Sequence, residues 1–308
     1  MNKRIYVPDI ECDSCSKVIS KRFSKKSGIT NFAIKQDYID VDFDENETTD
    51  KEIITTIKEL GFRADTNPFE RKTLKERVKH YKENKHKYKI EKKVIGYAIG
   101  IFFILSLLEL LSYYLFLQNM PNFLATYGWW LFYLNISVAT ISLGMWHVEA
   151  YRAKVTCMVG MMIGMTIGMQ TGMMIGVVFG ATNGFFIGAM VGMILGTIVG
   201  IITGRCCGVM GVMEGMMAGL MGGTMGPMIS VMMFSDHLLW FMPFYMIINI
   251  VILWGLSYMV YEEVVEGNIN VIKKSKDFST LTSIAVIVTF ILLTIMIYGP
   301  KTSLLSLV

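Results

Sequence analysis

The first residues in the chain suited to metal or redox chemistry are Cys12 and Cys15, in the segment CDSC. Two thiols three positions apart fit the N-terminus of a helix, where unpaired backbone N–H groups stabilise the thiolate form. Two thiolates suit Cu(I), Ag(I) or Hg(II), whereas a structural zinc ion requires four ligands. We therefore expect Cys12 and Cys15 to ligate a soft metal ion. A thiol oxidoreductase pair is the alternative.

A second set of sulfur atoms lies in the middle of the chain, where 18 of the 25 methionines fall between Met158 and Met233. Two M-x-x-x-M series place thioethers about 6 Å apart along one face of a helix. A thioether binds Cu(I) without deprotonation, and several weak sites let an ion enter and leave. Packing beside glycine is the alternative role. The predicted path comprises Met161, Met165, Met169, Met173, Met213, Met217, Met221 and Met225.

Other residues are expected near one end of this path. Cys157, Cys206 and Cys207 lie near the ends of apolar segments, where they favour a handoff of metal to or from Cys12 and Cys15. Acids inside a membrane span are costly and are functional candidates, which singles out Glu109 and Glu214. Glu214 is expected to attract a cation or to pair with Arg205.

The elements that position these residues belong to a membrane protein. The chain is 53% hydrophobic, and after Val94 it contains stretches of about 20 residues with few charges, enough to cross a bilayer. We predict an all-α polytopic membrane domain over 94–300 with about seven transmembrane helices. The predicted spans are 94–117, 127–147, 156–179, 184–204, 208–233, 238–260 and 279–299.

Loop charges predict the orientation, because Lys and Arg prefer cytoplasmic loops. Alternate connections carry basic residues, and the segment 68–93, a predicted juxtamembrane helix or linker, contains 11 Lys or Arg residues against 4 Glu. Its place beside a span favours anionic lipid headgroups over nucleic acid as the partner. We expect the plasma membrane of a prokaryote, a cytoplasmic N-terminal domain and a C-terminus outside.

Glycine recurs at every fourth position from Gly160 to Gly208. One glycine per turn makes a groove that lets another helix approach closely, so these helices are predicted to pack tightly. A homo-oligomer formed through the glycine-rich helices is one expected outcome.

Residues 1–67 show the periodicities of a βαββα unit with a short last strand near Arg63. This order packs as a split βαβ sandwich, so we predict an α+β ferredoxin-like (βαββαβ) cytosolic domain. Asp50 is the predicted N-cap of the second helix, and Gly61 its stop.

This segment resembles the heavy-metal-associated domain of copper chaperones and copper-exporting ATPases, through its C-x-x-C after the first strand, SGI at 27–29 and ELGF at 59–62. The resemblance implies that Cys12 and Cys15 are the metal ligands. The family has Gly and Met where this chain has Asp9 and Ile10. The paired M-x-x-x-M and G-x-x-x-G motifs resemble eukaryotic copper transporters, and the vicinal cysteines resemble mercuric ion transport proteins.

No phosphorylation motif or nucleotide-binding glycine loop is present, which excludes an ATP-driven pump and predicts no nucleotide. We expect no enzyme activity, but transport of a soft metal ion, most of all Cu(I), with a cytosolic metallochaperone as a partner. The alternatives are a non-transporting metal-sensing or metal-buffering membrane module and a mercuric ion uptake protein.

Overall fold

The computed structural model describes residues 2–10, 13–44, 47–68, 89–117, 123–152, 157–261, 272–273 and 278–301. Two hydrophobic cores form within these ranges, one before residue 68 and one after residue 95. Most of the predicted basic segment 68–93 lies outside the described residues.

The N-terminal domain is a three-stranded antiparallel sheet with two helices. The strand order is β1-β3-β2, with Ile5 opposite Ile39 and Phe32 opposite Val41. The expected last strand is reduced to one antiparallel bridge between Tyr6 and Asp65. In chain order the elements are β1 (Asn2–Tyr6), α1 (Asp13–Phe23), β2 (Ile29–Lys35), β3 (Tyr38–Phe43) and α2 (Asp50–Glu59).

The start of α2 differs from the prediction by one residue. Thr49 is the N-cap, with the extended φ of −102° and ψ of 152°, and its side chain makes no capping hydrogen bond. Asp50 is therefore the first helical residue rather than the cap. Its charge still favours the positive end of the helix dipole. Gly61 follows the helix with a φ of 95°, a conformation that glycine adopts without strain.

Seven long helices occupy the seven segments predicted as spans. Among the described residues, six of them are long and apolar enough to cross a membrane; the glycine-rich α7 is not as hydrophobic. A π-helical turn, Tyr113–Leu117, extends α3. The helices are α3 (Lys89–Ser112), α4 (Phe123–Ala150), α5 (Cys157–Asn183), α6 (Phe185–Gly204), α7 (Gly208–Met232), α8 (Leu238–Val260) and α9 (Phe278–Tyr298).

Contacts at the helix ends show which ends lie together. Near one end, the Tyr97 ring is 5.1 Å from Trp146 and 4.7 Å from Phe278. On the same side, the short strands β4 (Tyr151–Arg152) and β5 (Ile272–Lys273) pair. We name this side the paired-strand end. The connections that carry Arg152 and Lys273 therefore share one end of the bundle.

At the opposite end, the Asn183 amide at the end of α5 donates to the Gly299 carbonyl after α9, at 3.4 Å. Helices α5 and α6 run in opposite directions, because Gly164 near the start of α5 lies against Gly204 at the end of α6.

The centre of the membrane part is a three-helix unit, α5, α6 and α7, in which glycine backbones touch. The antiparallel pair α6–α7 is matched residue by residue: Gly204 faces Gly211, Gly200 faces Gly215, Gly196 faces Gly219 and Gly192 faces Gly223. A Cβ at Gly200 would overlap the Gly215 carbonyl group. Helix α5 runs parallel to α7, with Gly164 against the Gly211 carbonyl and Gly168 against the Gly215 carbonyl.

The glycine groove is thus filled within one chain. On α6, Gly188, Gly192, Gly196, Gly200 and Gly204 are all buried. An oligomer of this chain consequently needs a surface other than these glycines.

Two glycines of the same four-residue series form the turns of the unit. Gly184 is the single residue between α5 and α6, with a φ of 98°, and Gly208 begins α7 with a φ of 72°. Both values lie where residues with a Cβ are strained. The repeat therefore supplies both the contacts and the turns.

Gly200→Ala is expected to destabilise the protein by about 1–3 kcal/mol or to prevent folding, because the added Cβ meets backbone atoms that cannot move aside. Gly255→Ala is the matched control, since a Cβ there meets nothing within 4 Å. Alanine favours a helix interior over glycine by about 1 kcal/mol, so the control is expected to be neutral or stabilised. Thermal unfolding in one detergent compares the two variants, and equal midpoints would contradict the proposed contact.

Candidate functional site

The C-x-x-C segment lies at the start of α1. Cys15 is in the first turn and is 7% exposed, within the hydrophobic core of the domain. Cys12, three positions earlier, lies outside the described residues. Two effects on the Cys15 thiol therefore oppose each other: the N-terminus of α1 favours the thiolate, and burial in the apolar core favours the neutral thiol.

The loop that leads to the cysteines is anchored by residues that differ from the family pattern. The Asp9 carboxylate accepts hydrogen bonds from the Arg63 backbone N at 2.7 Å, from Nε at 2.9 Å and from Nη2 at 2.5 Å. Ile10 is 4% exposed and packs in the core. Arg63 follows α2, so this ion pair joins the loop before α1 to the segment after α2. Asp9 and Ile10 thus hold the loop by charge and by burial.

Cysteines of the membrane part lie at the paired-strand end of the bundle. The Sγ atom of Cys206 is 3.4 Å from the Thr203 carbonyl oxygen and 3.9 Å from that of Gly160, in the first turn of α5. Cys157 begins α5, three residues before Gly160. The side chains of Cys157 and Cys207 lie outside the described residues. The backbone nevertheless brings the start of α5 and the α6–α7 turn together.

The two methionine series border the same contact between α5 and α7. A Cβ at Gly222 would meet the backbone of Met169, and a Cβ at Gly226 would meet that of Met173. Met221 and Met225 directly precede these glycines. The series are consequently adjacent in space, although 52 positions separate their matching members in the chain.

The methionine side chains of α7 are exposed, whereas most of those of α5 are half-buried. Met165 is 38% exposed, and the α7 series is more exposed, at 58% for Met213, 57% for Met217, 54% for Met221 and 47% for Met225. Met161, Met169 and Met173 are half-buried, and Met173 packs against the hydrophobic core. The α7 series therefore forms an open face of the single chain, with the partly covered α5 series beside it. We name these eight side chains the methionine face.

Acidic residues do not complete a metal site among the described residues. No group of three or more His, Cys, Asp or Glu side chains is placed to hold a metal ion there. Glu214 is half-buried in α7, near the paired-strand end.

At the opposite end of the bundle, the Lys301 amine lies 4.3 Å from the centre of the Tyr127 ring, and partial burial lowers the pKa of this amine.

One polar contact inside the spans was not predicted. Asn135 of α4 is 1% exposed and donates from Nδ2 to Glu109 Oε2 at 2.7 Å. Glu109 was a candidate on its own, whereas its partner was not. The signal for Asn135 is an amide in an otherwise apolar helix, which needs a hydrogen-bonding partner when buried.

Comparison with known proteins finds no matching family model, no matching curated protein and no matching solved structure. The functional interpretation therefore rests on residue chemistry and on the geometry described above.

Asp9→Ala is expected to destabilise the N-terminal domain by about 2–3 kcal/mol, because it leaves the Arg63 guanidinium without its charged hydrogen-bond acceptor. Asp40→Ala is the control: Asp40 also pairs with an arginine, Arg4, at 2.8 Å, but on the surface, so a smaller loss is expected. Urea unfolding of a fragment covering residues 1–68, which holds its own core, measures both. Equal losses would contradict the anchoring role of Asp9.

Proposed function

We propose that this chain is an integral membrane protein that binds a soft metal ion, preferably Cu(I), at Cys12 and Cys15 and carries it along the methionine face. The observation that carries the proposal is the helix N-terminus that bears Cys15, on a β1-β3-β2 sheet, in one chain with two adjacent rows of thioethers. Thiolates and thioethers share a preference for soft cations. Ag(I) has the same chemistry, and Hg(II) is the cargo of the alternative mercuric uptake function.

The fold of the proposed metal-binding domain is ferredoxin-like. The antiparallel order β1-β3-β2 and the Tyr6–Asp65 bridge on the free side of β1 support this topology, because a fourth strand would pair there. Asp9 and Ile10 take the places of the family's Gly and Met. They keep the loop anchored, so the departure from the motif is compatible with metal binding.

The proposed membrane topology has seven spans, with α7 as the additional one. Helix α7 has 25 residues and lies against α5 and α6 over its length, so it occupies the same depth as two apolar helices. From Gly211 onward its glycines are covered by its neighbours, which removes the exposed backbone that would otherwise oppose burial in lipid. The paired-strand end, with its basic connections, is the cytoplasmic side in this proposal.

To conduct a metal ion, the exposed methionine face requires a second surface that covers it and supplies further ligands. A cation on a lipid-facing row of thioethers is poorly solvated, because hydrocarbon supplies no ligands of its own. A second copy of the chain, placed methionine face to methionine face, would enclose the path with thioethers from both sides. The homo-oligomer of the proposal therefore uses the methionines and not the glycines.

A non-transporting metal-sensing or metal-buffering module is the second candidate. The openness of the methionine face favours it, because thioethers that only fill space beside glycine need no enclosure. The two functions differ in whether metal crosses the bilayer.

Metal binding is tested by titrating the full-length protein in nanodiscs with Cu(I) against a competing chelator. Cys15→Ser is expected to weaken the tight site roughly 100-fold or more, about 2.7 kcal/mol or more, because one of two thiolates is lost. Cys206→Ser is the control and is expected to leave this site unchanged. Unaltered affinity in Cys15→Ser would refute the proposed ligand, and a reversible disulfide with weak Cu(I) binding would favour the oxidoreductase.

Transport is tested by Ag(I) or Cu(I) flux into liposomes. Joint replacement of Met161, Met165, Met169 and Met173 by leucine is expected to reduce flux to the level of empty liposomes, because leucine preserves volume but offers no ligand. The matched control replaces four exposed methionines outside the face, Met210, Met216, Met228 and Met232, by leucine. Undiminished flux in the first variant would refute the path, and absence of flux in the unmodified protein would favour the binding module.

A further inference from the structure

The contact between α3 and α4 contains a buried acid and a buried amide. Glu109 follows Ile101 and Leu105 at four-residue spacing, and these two residues are 0% and 1% exposed, so all three lie on the face of α3 turned toward the bundle. Asn135 Nδ2 donates to Glu109 Oε2 at 2.7 Å and is 3.5 Å from Ser106 Oγ. The pair lies inside both spans, with Glu109 about two turns before Leu115 and Asn135 more than two turns after Thr126.

Two oxygen atoms of this pair are buried without a hydrogen-bond partner: Glu109 Oε1 and Asn135 Oδ1. An ionised carboxylate and an amide oxygen are both acceptors, so neither satisfies the other. A buried unsatisfied acceptor is costly, and more so in a membrane interior. A single additional hydrogen atom, donated from Glu109 Oε1 to Asn135 Oδ1, would satisfy both oxygens.

We propose that Glu109 binds a proton and forms an acid–amide pair with Asn135. The protonated carboxyl donates from Oε1 to Asn135 Oδ1, while Asn135 Nδ2 donates to Glu109 Oε2. Both hydrogen bonds then close one ring, and the net charge of the site is zero. Loss of the proton leaves a buried anion with two facing acceptors, which separates the groups or draws a cation to them.

Among the residues that the structure describes, no charged side chain forms an ion pair with Glu109; Lys301, at the same end of the bundle, lies against the Tyr127 ring instead. On α3 the nearest titratable residue is Tyr113, one turn further along, and on α4 it is Tyr133, two residues before Asn135. Helix α9, which also packs on α3 and α4, has Tyr298 as its one titratable side chain. Tyrosine hydroxyls are neutral throughout the neutral pH range. The charged residues of α3 and α4 themselves lie in their terminal turns at the opposite side.

This site does not depend on the metal proposal, because it shares no residue with the cysteines or the methionine face. It gives the membrane part a proton-dependent contact between α3 and the rest of the bundle. Such a contact is the kind of element through which a proton gradient acts on a membrane protein.

Infrared spectroscopy of the full-length protein in nanodiscs tests the proposal directly. At neutral pH the unmodified protein is expected to show the carbonyl stretch of a protonated carboxylic acid, and Glu109→Gln is expected to lack it. Asn135→Leu should keep the band but shift it, because the hydrogen bond to the acid is lost. A Glu109 seen only through carboxylate bands at neutral pH would overturn the proposal, as would a site that responds to Na⁺ and not to pH.

The pH dependence of the thermal unfolding midpoint provides a second measurement. It compares the shape of two pH profiles, so it can also be applied to a variant of low stability. The folded protein binds a proton that the unfolded chain releases, so its unfolding midpoint is expected to fall as the pH rises from acidic to mildly alkaline. Glu109→Gln keeps a satisfied amide–amide pair without a titrating group, so its midpoint should lose that component. Identical pH profiles in the two proteins would overturn the proposal.

Discussion

The membrane part depends on direct contact between peptide backbones. In α5, α6 and α7 the glycines remove most side chains from the contact, and carbonyl oxygens and Cα atoms meet those of the neighbouring helix. Lipid provides no hydrophobic force between helices, so this close approach supplies dispersion and weak Cα–H···O contacts in its place. It also decides where side chains can go, because the remaining faces must hold them all. The open methionine face is a direct result.

Two polar contacts hold other parts of the chain together in a different way. Asp9 and Arg63 join distant parts of the N-terminal domain by charge, and Glu109 and Asn135 join α3 to α4 by polar atoms. Both depend on a partner group of matching protonation and geometry. The glycine contact depends on shape alone and is indifferent to pH and ionic conditions. The glycine contact is therefore expected to be insensitive to pH and salt, whereas the two polar contacts are expected to depend on them.

The sequence predicted most helices and strands well, because long apolar segments and strict alternation are local signals. It also predicted tight packing from the four-residue glycine period. It did not predict that α5 and α7 lie parallel in contact, or that helices of the same chain fill the glycine groove. A glycine repeat predicts close helix packing but not which helix packs against it. The Asp9–Arg63 pair spans 54 positions, and the Asn135 contact spans 26, so neither has a local signal. Asp50 was misplaced by one residue because Thr49 and Asp50 are both good capping residues.

A repeat of four residues is degenerate: sliding one helix past another by a single repeat brings glycine against glycine again. The contacts alone would accept several such alignments with similar energies. The connection at Gly184, a single residue between α5 and α6, permits no such displacement, and the short segment Arg205–Cys207 does the same for α6 and α7. These two tight connections therefore select one of several helix alignments that the glycine contacts alone would allow at similar energy.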